Sequence, residues 1–121
     1  MANPNVAIMK AVVCVAWADG LFKDQERRAL EGLLAAAQLT PEEVDELRRY
    51  AAAPRTLADV DTSVLTPEDC KKVVILAVAL AHADYDYSFV ERQTILKMCE
   101  QMGFSPSETH TLLSRANARI G

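Results

Sequence analysis

The sequence repeats itself at a spacing of 65 residues. The 32 residues that begin at Ala16 align without gaps with the 32 that begin at Ala81, and eight of the aligned pairs are identical. The identical pairs are Ala16/Ala81, Ala18/Ala83, Asp19/Asp84, Glu26/Glu91, Arg27/Arg92, Pro41/Pro106, Glu43/Glu108 and Leu47/Leu112. Self-similarity at a fixed spacing predicts that one supersecondary unit occurs twice, so the chain must fold as two related halves.

The apolar residues of both copies recur with helical spacing. Leu30, Leu33, Leu34 and Ala37 occupy positions i, i+3, i+4 and i+7, and the stripe recurs at Ile95, Met98, Cys99 and Met102. Alanine accounts for 19 of the 121 residues and aromatic residues for only 6%. This composition favours close-packed helices over sheets, which are rich in β-branched and aromatic residues. The sequence therefore predicts an all-α protein.

Prolines mark where helices begin. Four of the five prolines follow an Asn, Thr or Ser, the residue types that cap helix N-termini: Pro4, Pro41, Pro67 and Pro106. After Thr40 and after Ser105, a glutamate three residues later completes a capping box. Further helices at about 24–37 and 89–102 bring the total to six. The segment Leu57 to Val60 is predicted to form one short turn, which would be a seventh helix.

The length of the chain fits one domain. At 121 residues it is too short for two units that each bury a core. We expect a single compact bundle of six to seven helices over residues 1–121, with repeat copies at about 5–53 and 66–119 and a connector at 54–65. Each copy is a helix, an acidic loop, a helix and a helix. The longest apolar run, residues 73–83, is too short to cross a bilayer, so we expect no transmembrane segment.

The net charge limits the classes of partner that the protein can bind, and the cysteine content indicates the compartment in which it works. The 13 basic and 17 acidic residues give a net charge of −4, which supplies no positive field for gathering phosphates, so we expect no nucleic-acid partner. Cys14, Cys70 and Cys99 are odd in number and widely spaced, so we expect reduced, partly buried thiols in a reducing compartment such as the cytoplasm. The apolar run 11–18 lies largely inside the repeat, so we expect it to belong to the domain and not to a cleaved secretion signal.

Each copy carries an acidic loop after its first helix. Three carboxylates lie within eight residues in each loop: Asp19, Asp24 and Glu26 in the first copy, and Asp84, Asp86 and Glu91 in the second. Converging carboxylates repel one another unless protons or a cation neutralise them, and hard divalent cations such as Ca²⁺ and Mg²⁺ take oxygen ligands of this kind. The loops therefore predict a divalent-cation site with these six residues as ligands.

The same acids also have a purely structural interpretation. The helix dipole favours acids in a first turn, Asp19 can cap its own turn, and Ser88 with Glu91 satisfies a capping box without any ion. The second loop is not an EF-hand, because residues 85–87 offer no glycine for the sharp turn and the twelfth position is Ile95 instead of a bidentate glutamate. The sequence is therefore compatible with two interpretations of the acidic loops: a metal site, or a set of capped and solvated helix ends.

The search for catalytic motifs finds none that points to an enzyme. The chain has no Glu-x-x-His pair, no HExxH motif, no glycine-rich phosphate loop and no GxSxG motif. We therefore expect no enzymatic activity. A metal-dependent hydrolase that uses the carboxylates around one or two ions is a further alternative, and it requires a concave site with a nucleophile or an activated water.

The two loops carry a family resemblance. The segments AWADGLFKDQE and AHADYDYSFVE, each followed by an apolar helix and a Thr/Ser-Pro-Glu type of helix start, resemble the tellurite-resistance TerB-like family. That family also occurs as the helical domain of a membrane-anchored DnaJ-type co-chaperone. The resemblance covers about residues 5–115. It implies a bacterial, cytoplasmic, all-helical protein of about seven helices that is linked to tellurite and other stress responses and acts through protein partners, including partners at the inner membrane surface.

The resemblance also implies that the acidic loops bind a divalent cation. Carried onto this sequence, the candidate ligands are the same six residues: Asp19, Asp24, Glu26, Asp84, Asp86 and Glu91. The second copy departs from the family pattern at Tyr85, where the family often has glycine, and this departure weakens the case for the second loop. The metal-free alternative is an interaction domain whose partner docks on an apolar groove between the repeats.

Overall fold

Six α-helices build the fold. The computed structural model describes residues 4–17, 24–60, 62–81 and 89–120. The helices are α1 (Pro4–Ala16), α2 (Asp24–Ala36), α3 (Pro41–Ala51), α4 (Pro67–Ala81), α5 (Phe89–Gln101) and α6 (Pro106–Ile120). Within these ranges there is no β-strand. The predicted all-α fold is confirmed, and the four helices expected to start at a proline do so. The last two residues of the apolar run 73–83 lie outside the described residues.

The connector between α3 and α4 contains two short 3₁₀ turns, Leu57–Asp59 and Thr62–Val64. We expected only one turn, at Leu57 to Val60. The expectation overlooked that the threonine and serine of the second turn also favour local turns through their hydroxyl groups. The two turns leave Val60 half-buried against the core and Val64 on the surface.

Reciprocal hydrogen bonds fix the starts of α3 and α6. The Thr40 backbone N–H donates to Glu43 Oε1 at 2.9 Å, and the Glu43 N–H donates to Thr40 Oγ1 at 3.2 Å. Ser105 and Glu108 make the same two bonds at 3.0 and 3.1 Å. Both predicted capping boxes are present. They satisfy backbone N–H groups that have no partner within the helix, which is why these helices begin where they do.

Helices α1 and α4 form the centre of the molecule. Helix α1 contacts α3, α4 and α5, and helix α4 contacts α1, α2, α5 and α6. All residues of the segment 11–16 are buried, and α4 buries Val73, Val74, Ala77 and Val78 completely. A helix that is apolar on most sides requires neighbours around it, so these two helices are surrounded by the other four.

The two copies share one core in a symmetric way. Each copy's second helix contacts the first helix of the other copy, because α2 contacts α4 and α5 contacts α1. Buried residues recur 65 positions apart: Ile8/Val73, Met9/Val74, Val12/Ala77, Val13/Val78, Val15/Leu80, Leu30/Ile95, Leu34/Cys99 and Leu47/Leu112. The sequence repeat is therefore a repeat of core positions. The boundaries of the copies, 5–53 and 66–119, stay a prediction.

Candidate functional site

The six predicted cation ligands fall into three groups. Asp19, Asp84 and Asp86 lie outside the described residues, Glu91 lies in the first turn of α5 with its side chain outside them, and Asp24 and Glu26 are described fully. The part of the candidate site that the structure describes fully is therefore the start of α2.

Asp24 and Glu26 share the first turn of α2 but lie in opposite environments. Asp24 is exposed, whereas Glu26 has 0% of its surface exposed. Glu26 precedes Leu30 by four residues and Leu34 by eight, so it lies on the same buried face of the helix. The sequence predicts the same roles for Asp24 and Glu26, as cation ligands or as acids of a first turn, although this spacing already distinguishes Glu26. Asp24 is therefore a solvated acid at a helix end, whereas Glu26 is not.

Glu26 places a buried carboxylate at this helix end. Removing an ionised carboxylate from water costs several kcal/mol unless charges or hydrogen-bond donors compensate. The first turn of a helix supplies part of that compensation through its exposed backbone N–H groups. Glu26 also takes part in a polar interaction with its surroundings. A carboxylate in this position can bind a proton or a hard cation.

The described side chains do not by themselves complete a metal site. In the part of the chain that the structure covers, no three His, Cys, Asp or Glu side chains come together as a metal-binding group. Asp24 and Glu26 are two of the six predicted ligands, and the loop residues that follow α1 and α4 are not among those searched.

Trp17 anchors the end of α1 where the first acidic loop begins. Its indole Nε1 donates a hydrogen bond of 3.0 Å to the backbone oxygen of Ala51, at the end of α3. The ring is partly buried against the core. The start of the loop is thereby tied to α3.

The surroundings of Tyr50 form a polar cluster that the sequence did not reveal. Arg55 stacks over the ring at 3.8 Å, and its Nε donates to the Tyr50 backbone oxygen at 2.9 Å. Lys10 Nζ lies 5.4 Å from the ring centre, and Cys14 Sγ lies 3.6 Å from the Tyr50 hydroxyl. These residues come from three separate segments, so no local spacing could have brought them together. The cluster joins α1, α3 and the connector.

The three cysteines are free and buried, which agrees with the prediction of reduced, partly buried thiols. Burial raises the pKa of Cys14 and of Cys70, and it raises the pKa of Cys99 to about 11. A thiol with a raised pKa stays protonated at neutral pH and is a poor nucleophile. The cysteines therefore have the properties of core residues.

An apolar groove lies where the two copies meet. It is lined by Ile8 and Met9 of α1, Leu33 and Ala36 of α2, and Ile75 and Leu76 of α4, and its volume is about 390 Å³. We call it the repeat-junction groove. The metal-free alternative expected a groove of this kind between the repeats. Lys72 is the one charged residue among the described residues that line it.

A second groove lies between α1, α3 and the connector. It is lined by Val6, Ala7, Glu43, Glu46, Asp59 and Val64, together with four neighbouring residues, and its volume is about 460 Å³. We call it the connector groove. The sequence did not predict it, because it depends on how the two 3₁₀ turns lie against α1.

The length and the polarity of a helix decide whether it can cross a bilayer. Among the residues that the structure describes, no helix is long and apolar enough to cross a membrane. This agrees with the expectation from the apolar run in α4, which is followed by the second acidic loop.

Comparison with known proteins identifies the family. A family model described as "Tellurite resistance protein TerB" matches residues 5–116, from the start of α1 into α6. Neither a search of curated proteins nor a search of solved structures found a match. The family match includes both acidic loops, all of helices α2 to α5 and the connector. Since it covers nearly the whole chain, the protein belongs to the TerB family of tellurite resistance proteins.

Proposed function

We propose that this protein is a stress-response module that binds a divalent cation, Ca²⁺ or Mg²⁺, through its acidic loops and acts through protein partners. Family membership supports a helical module related to tellurite resistance. The complete burial of Glu26 is the observation that carries the cation part of the proposal. The proposed ligands are Glu26 and Asp24 at the start of α2, with Asp19, Asp84, Asp86 and Glu91.

The electrostatics of Glu26 favour a positive charge beside it. The dipole of α2 contributes about 0.3–1 kcal/mol to an acid in its first turn. This is less than the several kcal/mol that burial of a carboxylate costs. Glu26 also makes a polar interaction with its surroundings, and a bound cation would add to it, because hard cations prefer carboxylate oxygens. Asp24, which is exposed two residues earlier, offers a second carboxylate at the same helix end.

A cation at this helix end would influence the repeat-junction groove. Glu26 belongs to α2, and the same helix contributes Leu33 and Ala36 to the groove. Helix α2 also contacts α4, the central helix of the other copy. Fixing the start of α2 would thus restrict one wall of the groove. This route gives the ion a structural effect on partner binding, as local charge changes have in other switch proteins.

The alternative function is a metal-free interaction domain. Two observations favour it: Glu43 and Glu108 already act as helix caps, and the repeat-junction groove is apolar. In either case we propose that the protein works by binding and not by catalysis, because the thiols are buried and protonated and the sequence holds no catalytic motif. We also propose a cytoplasmic location, which the reduced state of the three cysteines supports.

Thermal unfolding tests the proposed cation site. Chelator-stripped protein is unfolded with and without millimolar Ca²⁺ and, separately, Mg²⁺. An ion at about 100 times its dissociation constant adds roughly 2.7 kcal/mol, which raises the midpoint by on the order of 10 °C in a domain of this size. A flat result for both ions would contradict the cation site and favour the metal-free interaction domain.

A matched pair of variants assigns the effect to Glu26. The Glu26→Gln substitution removes the buried charge and keeps the size of the side chain. We expect the variant to lose the ion response while it keeps the helix content of the wild type. The control is Glu42→Gln, an exposed acid in the first turn of α3, which should respond to the ion as the wild type does. An unchanged response in Glu26→Gln would exclude this residue as a ligand.

A further inference from the structure

The connector groove has an apolar surface that is open to solvent. Val64 is 56% exposed, and no other large hydrophobic residue whose side chain the structure describes is exposed. Val6 and Val60 beside it are half-buried against the core. The second 3₁₀ turn, Thr62–Val64, places this side chain at the groove. An apolar side chain held in water beside a concave surface is typical of a contact site.

The rim of the connector groove is acidic. Glu43, Glu46 and Asp59 line it, opposed by one basic residue, Lys10. Lys10 Nζ lies 2.8 Å from Glu46 Oε2, so its charge is already paired. Three carboxylates against one ammonium leave the rim with a net charge of about −2 at neutral pH. The net charge of the whole chain, −4, has the same sign. The groove therefore attracts positively charged groups.

We propose that the connector groove is the docking site for a partner segment in which an apolar side chain is flanked by lysine or arginine, as on a basic amphipathic helix. The apolar side chain would cover Val64, and a basic group beside it would reach Asp59. This inference rests on the proposed function as an interaction module and names the class of partner. It does not involve the cation site.

Charge favours the connector groove over the repeat-junction groove for such a partner. The described lining of the repeat-junction groove carries one charged residue, Lys72, which repels a basic segment. The connector groove joins an apolar surface to carboxylates within one concavity. The connector occurs once in the sequence, between the two copies, so the proposal predicts one docking site per chain.

An NMR titration of the full-length, ¹⁵N-labelled protein tests the proposal. The probe is a synthetic amphipathic peptide with leucine at i, i+3, i+4 and i+7 and lysine on its other face, and the control peptide has glutamate in place of lysine. We expect the lysine peptide to shift the amides of Ala7, Val60 and Val64 and to bind more weakly as NaCl is raised. The glutamate peptide should leave them unchanged.

Variants separate the apolar contact from the charge. Val64→Ser should weaken binding about tenfold, because it removes an apolar contact. Asp59→Asn should weaken it about threefold. The asparagine keeps the side-chain oxygen that accepts the 2.8 Å hydrogen bond from the Thr56 backbone N–H, so the turn is preserved. Glu100→Gln, an exposed substitution on α5, is the control and should bind as the wild type does.

Several results would overturn the proposal. These are wild-type affinity in Val64→Ser, equal binding of the glutamate peptide, or shifts confined to the repeat-junction groove. Self-association of the protein that Val64→Ser abolishes would assign the surface to a second copy of the chain instead. Titrations with and without Ca²⁺ distinguish the two proposals, because the docking surface should bind the peptide even if the ion has no effect on unfolding.

Discussion

The two copies place apolar residues at the same core positions but join their second and third helices differently. In the first copy, Arg48 of α3 binds Glu31 of α2 through Nε and Nη2 at 2.7 to 3.1 Å. The positions 65 residues later are Leu96 and Leu113, and both are half-buried. An exposed ion pair in one copy thus corresponds to two apolar residues in the other. The chemistry at the edge of this interface can change while the central contacts stay apolar.

The turn after the second helix shows a further difference. In the second copy, Gly103 has a φ of +88°, and the N–H of Phe104 donates to the Cys99 backbone oxygen at 3.0 Å, which is the arrangement of a Schellman cap. The equivalent residue of the first copy is Gln38, with a φ of +55°. Glycine adopts this region without strain, whereas glutamine does not. The same turn is therefore intrinsically favoured in one copy and imposed by its surroundings in the other.

The largest effects should come from the equivalent core leucines of α3 and α6. Leu47 has 0% of its surface exposed and Leu112 has 8%. Truncation of a buried leucine to alanine costs about 2–5 kcal/mol, and we expect Leu47→Ala to lie above Leu112→Ala within this range. Urea unfolding with unchanged m-values measures both. A larger loss in Leu112→Ala would show that the second copy is the more tightly packed.

An intermediate effect is expected at the two turns. Gly103→Ala should destabilise the protein by about 1 kcal/mol, since an added Cβ meets no atom within 4 Å and only the backbone conformation opposes it. Gln38→Gly should instead stabilise the protein by about 0.5–1 kcal/mol. Midpoints of urea unfolding report both signs. Changes of the same sign in the two variants would mean that the turns are not equivalent in strain.

The smallest effect should be the loss of the ion pair. The hydrogen bonds and charge of Arg48 lower the pKa of Glu31 from its ordinary value of 4.5. The contribution of the pair is therefore present above pH 4.5 and is lost as the pH falls through the lower pKa of the folded state. Because the pair is exposed, we expect Glu31→Gln to cost about 0.2–1 kcal/mol at pH 7 and nothing in strong acid.

The equivalent substitution in the second copy is the control for this pH dependence. Leu96→Gln removes apolar contact and no charge, so its cost should be the same at both pH values. Unfolding by urea at pH 7 and at pH 3 compares the two variants. A pH-independent cost of Glu31→Gln would show that the ion pair contributes nothing and that only the aliphatic part of the side chain matters.

Local signals in the sequence predicted the helices, whereas contacts between distant segments decided the candidate sites. The Thr-Pro and Ser-Pro starts were predictable because a capping box involves residues only three apart. The spacing of Glu26 from Leu30 and Leu34 could also have revealed its burial. The connector groove could not be predicted, because Val6 and Val64 are distant in the sequence and meet only after the connector packs against α1.

The contacts between each second helix and the first helix of the other copy make the halves depend on each other. Neither copy encloses its own apolar central helix, because α2 contacts α4 and α5 contacts α1. The chain therefore resembles a dimer whose two subunits are tethered by the connector, and the tether replaces a concentration-dependent association with an intramolecular one.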